Sequence, residues 1–397
     1  MKKSLEYILS VAAVVGMIGG VCACNKKTET ENKDELAVVD ELQAEDEDSQ
    51  KAPEPTSRLA VYSWGDYIDP AVIQEFEKET GIAVDYDMFD TNEEMFESLS
   101  GGKKYDVLCP SDYMIQKLIQ HDMLSPLNYD HIPNIKNIDP NFMEMAGSFD
   151  EGNKFAVPYT WGTVGIIYNT KRIEDKKLPV PKKWADLWNP AYKDEIIMQD
   201  SIRDAYMVAL KSLGYSMNST NEEEIQKATQ KLIEQKPLVR DYVVDEVRNK
   251  MIDGEAAIGV IYSGELMNIQ EEVKKENYDY SLEYVFPEEG TNVWMDAWVV
   301  LKDSENKENA EKWIDFLARA DIAKRNFEFI TYATPNMAAL ELLDEKIRKN
   351  KSLFPDGETF KNCEVYRYPG EDVEAIYKKG WAAVKGDDEA EVKEDNK

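Results

Sequence analysis

The sequence predicts an α/β fold in two lobes. Strand-like and helix-like segments alternate from Leu59 onward, the order that builds a largely parallel sheet with helices on its faces. Residues 58–385, about 330 in all, are enough for two lobes with separate cores. The residues that break the apolar patterning fall just after strand ends, where open α/β sheets hold their ligands.

Leu59-Ala60-Val61-Tyr62 reads as a buried strand. Asp69-Pro70 then opens a helix, with proline at its first position and Val72, Ile73 and Phe76 on one face; Gly81 ends it. Ile82, Val84, Tyr86 and Met88 alternate with polar residues, a half-buried strand. Asn92 is placed to cap the next helix, and Tyr105 to Cys109 form a third strand. Beyond residue 160 the alternation resumes, with strands at Val164–Tyr168, Ala256–Tyr262, Leu282–Phe286 and Val293–Leu301. Helices are expected at Arg203–Leu213, Glu222–Glu234, Asn309–Ala318, Ile322–Phe329 and Asp372–Val384.

The ends of the chain bear on compartment. Lys2 and Lys3 precede an apolar run from Tyr7 to Val21, shorter than the roughly 20 residues of a membrane span but of secretory-signal length. The run closes in Val21-Cys22-Ala23-Cys24, which resembles a bacterial lipobox with Cys24 as the lipidated residue; Cys22 is the alternative. Residues 25–57 hold eleven acids, four lysines and no aromatic residue, too little apolar surface to offset the entropy of ordering. They read as a disordered tether from a lipid anchor, and 386–397 as a disordered tail. Of the total charge of −31, the leader carries +1, the tether −7 and the tail −4, leaving −21 on the folded part. Such a surface argues against nucleic acid, which asks for basic stripes, and favours cations.

Chemistry-bearing residues are few in kind. Only two histidines and, past the leader, two cysteines (Cys109 and Cys363) occur, and no C-x-x-C. No metal or cofactor is implied. Cys109, in an apolar run, reads as core. The strand ends instead pair aromatic or hydroxyl groups with acids: Trp64-Gly65-Asp66-Tyr67, Ser111-Asp112-Tyr113, Tyr262-Ser263-Gly264-Glu265 and Trp294-Met295-Asp296. That combination suits a flexible cation with an apolar middle. Carboxylates replace the water of an ammonium group, at roughly 1.5–3 kcal/mol per charge-assisted hydrogen bond. Aromatic faces add about 0.5–2 kcal/mol per cation–π contact and cover methylenes worth about 0.8 kcal/mol each. Trp184, Trp188, Trp313 and Trp381 read as packing residues.

Seven stretches, in order, carry a resemblance: 62–70 (Tyr-Ser-Trp-Gly-Asp-Tyr-Ile-Asp-Pro), 105–113, 157–163, 184–188, 209–216, 287–290 and 332–336. In them the chain resembles the spermidine/putrescine-binding proteins of bacterial polyamine ABC importers, over nearly all of 58–385. The resemblance implies a two-lobed type II periplasmic-binding-protein-like fold, each lobe a mixed, mostly parallel sheet flanked by helices, with the ligand in the cleft between. It implies a first lobe of 58–161 plus 297–342, a second of 165–293 plus 346–385, and an extracytoplasmic monomer that delivers its polyamine to membrane permease subunits. It carries binding roles onto Trp64, Asp66, Tyr67, Ser111, Tyr113, Asp204, Tyr262, Glu265, Trp294, Asp296 and Tyr332. Two positions depart from it. Ser201 stands where spermidine-preferring members carry aspartate, with Asp200 adjacent, and Tyr366 replaces a glutamine. The alternatives are another organic cation on the same fold, a polyamine sensor, and a hydrolase pairing Asp66 with Asp296.

Overall fold

The structure, a computed structural model, describes residues 57–355 and 357–386. The signal segment with Cys24, the tether up to residue 56 and the tail beyond Gly386 lie outside the described residues. Among the described residues no helix is long and apolar enough to cross a membrane, and no cluster of His, Cys, Asp or Glu is arranged to hold a metal ion.

Two mixed sheets make up the core. The first contains β1 (Ser57–Trp64), β2 (Ile82–Phe89), β3 (Val107–Leu108), β4 (Leu124–Ser125), β5 (Ala156–Gly162) and β11 (Trp294–Leu301), in the order β2-β1-β3-β11-β4 with β5 also on β11. The second contains β6 (Val164–Asn169), β7 (Ile196–Gln199), β8 (Val239–Val243), β9 (Ile258–Tyr262) and β10 (Leu282–Val285), in the order β10-β6-β9-β7-β8. Helices flank both, giving the two-lobed architecture expected from the sequence.

The parallel expectation holds for β2-β1-β3 and for β9-β7-β8. It does not hold for β11, which runs antiparallel to β3, β4 and β5, nor for β6, antiparallel to β9 and β10. The reason is connectivity. β5, β6 and β11 lie next to the passages between the sheets, and a chain that leaves one sheet and returns to it need not follow the βα crossover that enforces parallel strands. Thr163 is the single residue between β5 and β6. The return passage is tied to it: Val164 N donates to Asn292 Oδ1 at 2.8 Å and Thr291 Oγ1 donates to Val164 O at 2.7 Å.

Local signals explain the elements. Asp69 Oδ1 accepts from Ala71 N at 2.9 Å and caps the Pro70–Thr80 helix, which ends at Gly81 with φ 71°, a left-handed value that glycine adopts without strain. Val72 and Phe76 bury completely against Leu59, Val61 and Trp313. Burial of each such side chain contributes about 1.5–3 kcal/mol. Thr91, not Asn92, caps the next helix, accepting from Glu94 N at 3.1 Å. The alternation expected of β2 fails at its end, where Met88 is exposed and Phe89 is buried against Trp64 with ring centroids 4.6 Å apart. Trp184 and Trp313 are fully buried, and Cys109 lies in the core of the first lobe. The Glu371–Lys385 helix brings the chain back to the second lobe, against the helices Ile202–Ser212 and Glu222–Gln235.

Candidate functional site

The site gathers where the two sheets face each other. β11 enters it with Trp294 and Asp296, which share a side of the strand and are each less than a tenth exposed. The β11–β5 register slips between Asp296 and Ala297: Asp296 opposes Thr160, Ala297 opposes Pro158, and Tyr159 is the extra residue. Pro158 has no N–H to give a ladder, and Ala297 N turns instead to Pro110 O at 3.1 Å. The bulge therefore sits at the acid it presents, as bulges beside functional sites do.

Asp296 is half-satisfied. Its Oδ2 accepts from the Tyr67 hydroxyl, which lies 2.6 Å from Thr160 Oγ1, while Oδ1 is buried with no hydrogen-bond partner. Burial pushes the carboxyl up to about 6, against the pull of the Tyr67 hydroxyl. Ser111 lies alongside as an isolated antiparallel bridge to Asp296.

Trp294 forms the middle of an aromatic row. Its ring meets Tyr332 edge-on at 5.2 Å and Tyr262 at 6.1 Å, and Tyr332 in turn meets Tyr67 at 6.1 Å. The indole N–H is buried without a partner. Two glycines make room for the row. A Cβ on Gly162 would lie 2.5 Å from Trp294 Cζ2, and one on Gly264 would overlap the Tyr332 ring.

Each tyrosine of the row is tied to an acid. Tyr332 Oη donates to Glu265 Oε1 at 2.9 Å. Tyr262 and Tyr366 donate to the two oxygens of Asp204, each at 2.8 Å, and Asn292 Nδ2 approaches at 3.5 Å. Burial first, and then the neighbouring carboxylate, raises all four hydroxyls (Tyr67, Tyr262, Tyr332, Tyr366) well above an ordinary tyrosine, so they remain donors.

Two expected residues stand apart from this row. Asp66 is exposed on the turn after β1, at φ 51°, with no hydrogen bond to the site. The turn carries its carboxylate out to solvent, and no hydrogen bond joins it to Asp296 among the described residues. Tyr113 is held outside the row, donating to Glu93 Oε1 at 3.0 Å and accepting from Asn92 Nδ2 at 3.2 Å; Asn92 also holds Ser111. Its ring meets Tyr366 edge-on at 6.3 Å, and the Arg203 guanidinium lies over it at 5.7 Å. Trp64 packs on Phe89 and sits 6.4 Å from Tyr67.

Ser201, the departure at the acid position, caps the Ile202–Ser212 helix by accepting from Asp204 N at 3.3 Å. The neighbouring Asp200 is bound to Lys385 Nζ at 3.0 Å and does not turn inward to replace the missing acid. Sequence reasoning missed two participants. Tyr366 was visible only as a departure, and Arg248, which donates to Glu265 Oε2 at 3.1 Å, gave no signal at all.

The lobes meet across the site. Tyr332 donates to Glu265, Thr331 Oγ1 donates to Gly264 O at 3.0 Å, and Lys117 Nζ pairs with Glu374 at 3.0 Å. These contacts bring acids and aromatic faces from the two sides together.

Residues 102–363 match the family described as bacterial extracellular solute-binding proteins. The chain belongs to that family. It is 35% identical over 329 residues to the spermidine/putrescine-binding periplasmic protein of Salmonella typhimurium, covering 82% of this chain and 91% of the relative. To the putrescine-binding periplasmic protein of Pseudomonas aeruginosa it is 30% identical, covering 78% and 86%. The solved spermidine/putrescine ABC transporter substrate-binding protein of Streptococcus pneumoniae superposes with a TM-score of 0.71 at 39% identity, covering 83% of this chain and 99% of that one. This solute-binding protein has the two-lobed type II fold.

Proposed function

We propose that the protein captures a short linear polyamine outside the cytoplasm and delivers it, chemically unchanged, to the permease of an ABC importer. The observation that carries the reading is Asp296 Oδ1, a buried carboxylate oxygen with no partner, beside the Trp294 face. A buried charge in that state is costly unless a cation meets it, and an ammonium with a hydrocarbon stem fits both the acid and the ring. Asp204 and Glu265 supply further carboxylates along the same aromatic row. The names of the relatives point to the same ligands.

In this reading Asp296 neutralises one nitrogen, Trp294 covers the adjacent methylenes, and Asp204 faces the other end. Residues 58–161 with 297–342 and residues 165–293 with 346–385 close as two lobes around the ligand. Ligand-induced closure requires better contacts in the closed state, and the acids and aromatics come from both sides. Diamines are favoured over longer polyamines, since Ser201 brings no carboxylate and Asp200 is held by Lys385. Anchoring is through lipid on Cys24, and mass spectrometry of the native N-terminus checks it: an unmodified terminus released into the medium overturns that part. For the binding itself, calorimetry against putrescine, spermidine, spermine and agmatine should give one-to-one binding with putrescine tightest. Heat from none of the four overturns the function, and spermidine at least tenfold tighter than putrescine overturns the selectivity.

A further inference from the structure

We propose that Arg248 sets how many ligand nitrogens the cleft accepts, its guanidinium standing at Glu265 where a third ammonium would otherwise bind. The inference rests on the polyamine reading above and names a residue that reading does not use.

Glu265 begins the helix Glu265–Lys275 and presents one oxygen to each side. Oε1 accepts from Tyr332, whose ring touches Trp294; Oε2 accepts from Arg248 Nη1 at 3.1 Å. The three carboxylates of the aromatic row differ in this respect. Asp296 is bonded by Tyr67, and Asp204 by Tyr262, Tyr366 and Asn292, all neutral groups. Among the described residues, only Glu265 of the three has a cation on it. Arg203, the other guanidinium nearby, lies over the rings of Tyr113, Tyr366 and Tyr377 and donates to Asn218 and to Arg367 O, not to any of the three acids. Of the three, Asp296 and Asp204 are thus left without a cation, and a dication would supply one to each.

The surroundings explain why a cation at Glu265 is needed at all. The carboxyl of Asp245 is pushed up by burial and then by Glu265 and Glu246, with Arg248 pulling it down and Asp90 adding further repulsion. A vacated Arg248 position would leave Glu265 among these acids, partly buried, and a ligand ammonium would be drawn there. Ammonium and guanidinium compete for one carboxylate, and the protein's own cation, being tethered, has the advantage of effective concentration. Arg248 is more than a third exposed, so its removal opens no cavity in the core.

The test is calorimetry of the wild type, Arg248→Gln, Arg248→Lys and Arg248→Gln/Glu265→Gln against putrescine and spermidine. In Arg248→Gln the spermidine-to-putrescine affinity ratio should rise at least tenfold. Adding Glu265→Gln should abolish the rise, and Arg248→Lys, which returns a cation, should bring the ratio back toward wild type. A structural role for Arg248 would lower both affinities together and leave the ratio unmoved. An unmoved ratio with putrescine still bound overturns this inference alone. Failure of the wild type to bind either amine overturns the polyamine reading beneath it.

Discussion

Replacing Asp296 by asparagine should weaken ligand binding and strengthen the unliganded fold at the same time. Without the carboxylate a bound ammonium loses its buried partner, a loss of roughly 3–5 kcal/mol, or about a hundredfold to about five-thousandfold in Kd. The free protein gains because the acid is held in a poor place. Its folded value of about 6 stands above the ordinary 3.8, a gap of about two pH units or ~3 kcal/mol. The sign follows from proton linkage. Between these values the folded state keeps a proton that the unfolded state has lost, so stability falls as pH rises from about 4 to about 6, and the whole cost is present at neutral pH. The neutral amide of the variant would carry none of it. About 330 residues at about 2.1 cal/mol/K each give an unfolding entropy near 0.7 kcal/mol/K, so the variant should melt about 4 °C higher than wild type at pH 7.5 and show little advantage at pH 4. Binding shows the opposite slope: wild-type affinity should be flat above pH 7 and fall up to about tenfold per pH unit below 6, while the variant's weak binding stays flat. Differential scanning calorimetry and isothermal titration across pH 4–8 measure both. Binding by Asp296→Asn within threefold of wild type at pH 7.5 would refute the placement of the ammonium. A variant that melts lower at pH 7.5 would refute the claim that the carboxylate is strained by burial.

Trp294→Ala should cost binding less than Asp296→Asn, about 2–3 kcal/mol from lost methylene cover and cation–π contact, read by the same titration. Gly162→Ala, which touches no ligand, should weaken binding at least tenfold, because its methyl group would stand 2.5 Å from the indole and force Trp294 out of line; unchanged affinity would mean the ring position is not critical. Saturating putrescine should shrink the radius of gyration of the purified protein in small-angle scattering, and an unchanged radius in a sample shown to be liganded counts against lobe closure.

Much of the fold was legible because its signals are local. Asp69-Pro70 and Gly81 bracket a helix through bonds that span two to four residues, and the strands at 164–169 and 294–301 announce themselves as apolar runs. β5 escaped notice because Pro158 lies inside it, a residue that ordinarily argues against an inner strand and is tolerated here by the bulge at Asp296. β7 and β8 are short and lack a clean alternation. At the site, the strand-end acids and aromatics were legible as residue types, but their pairings were not. Tyr67 finds Asp296 across 229 residues and Tyr366 finds Asp204 across 162, distances over which no spacing rule operates. Asp66 shows the converse: its neighbours in sequence belong to the site, yet a left-handed turn takes it to the surface.

Trp294 belongs to two structures at once. Its strand is hydrogen-bonded into the first sheet, while its ring packs with the core of the second lobe. The residues proposed to grip the ligand therefore also help to tie the two sheets together. A change at 294–296 that alters ligand contacts would also alter the packing between the two sheets. Drift in ligand preference should accordingly collect at less buried positions such as 201 and 248 rather than at Tyr366, which is buried in the same core cluster as Trp294.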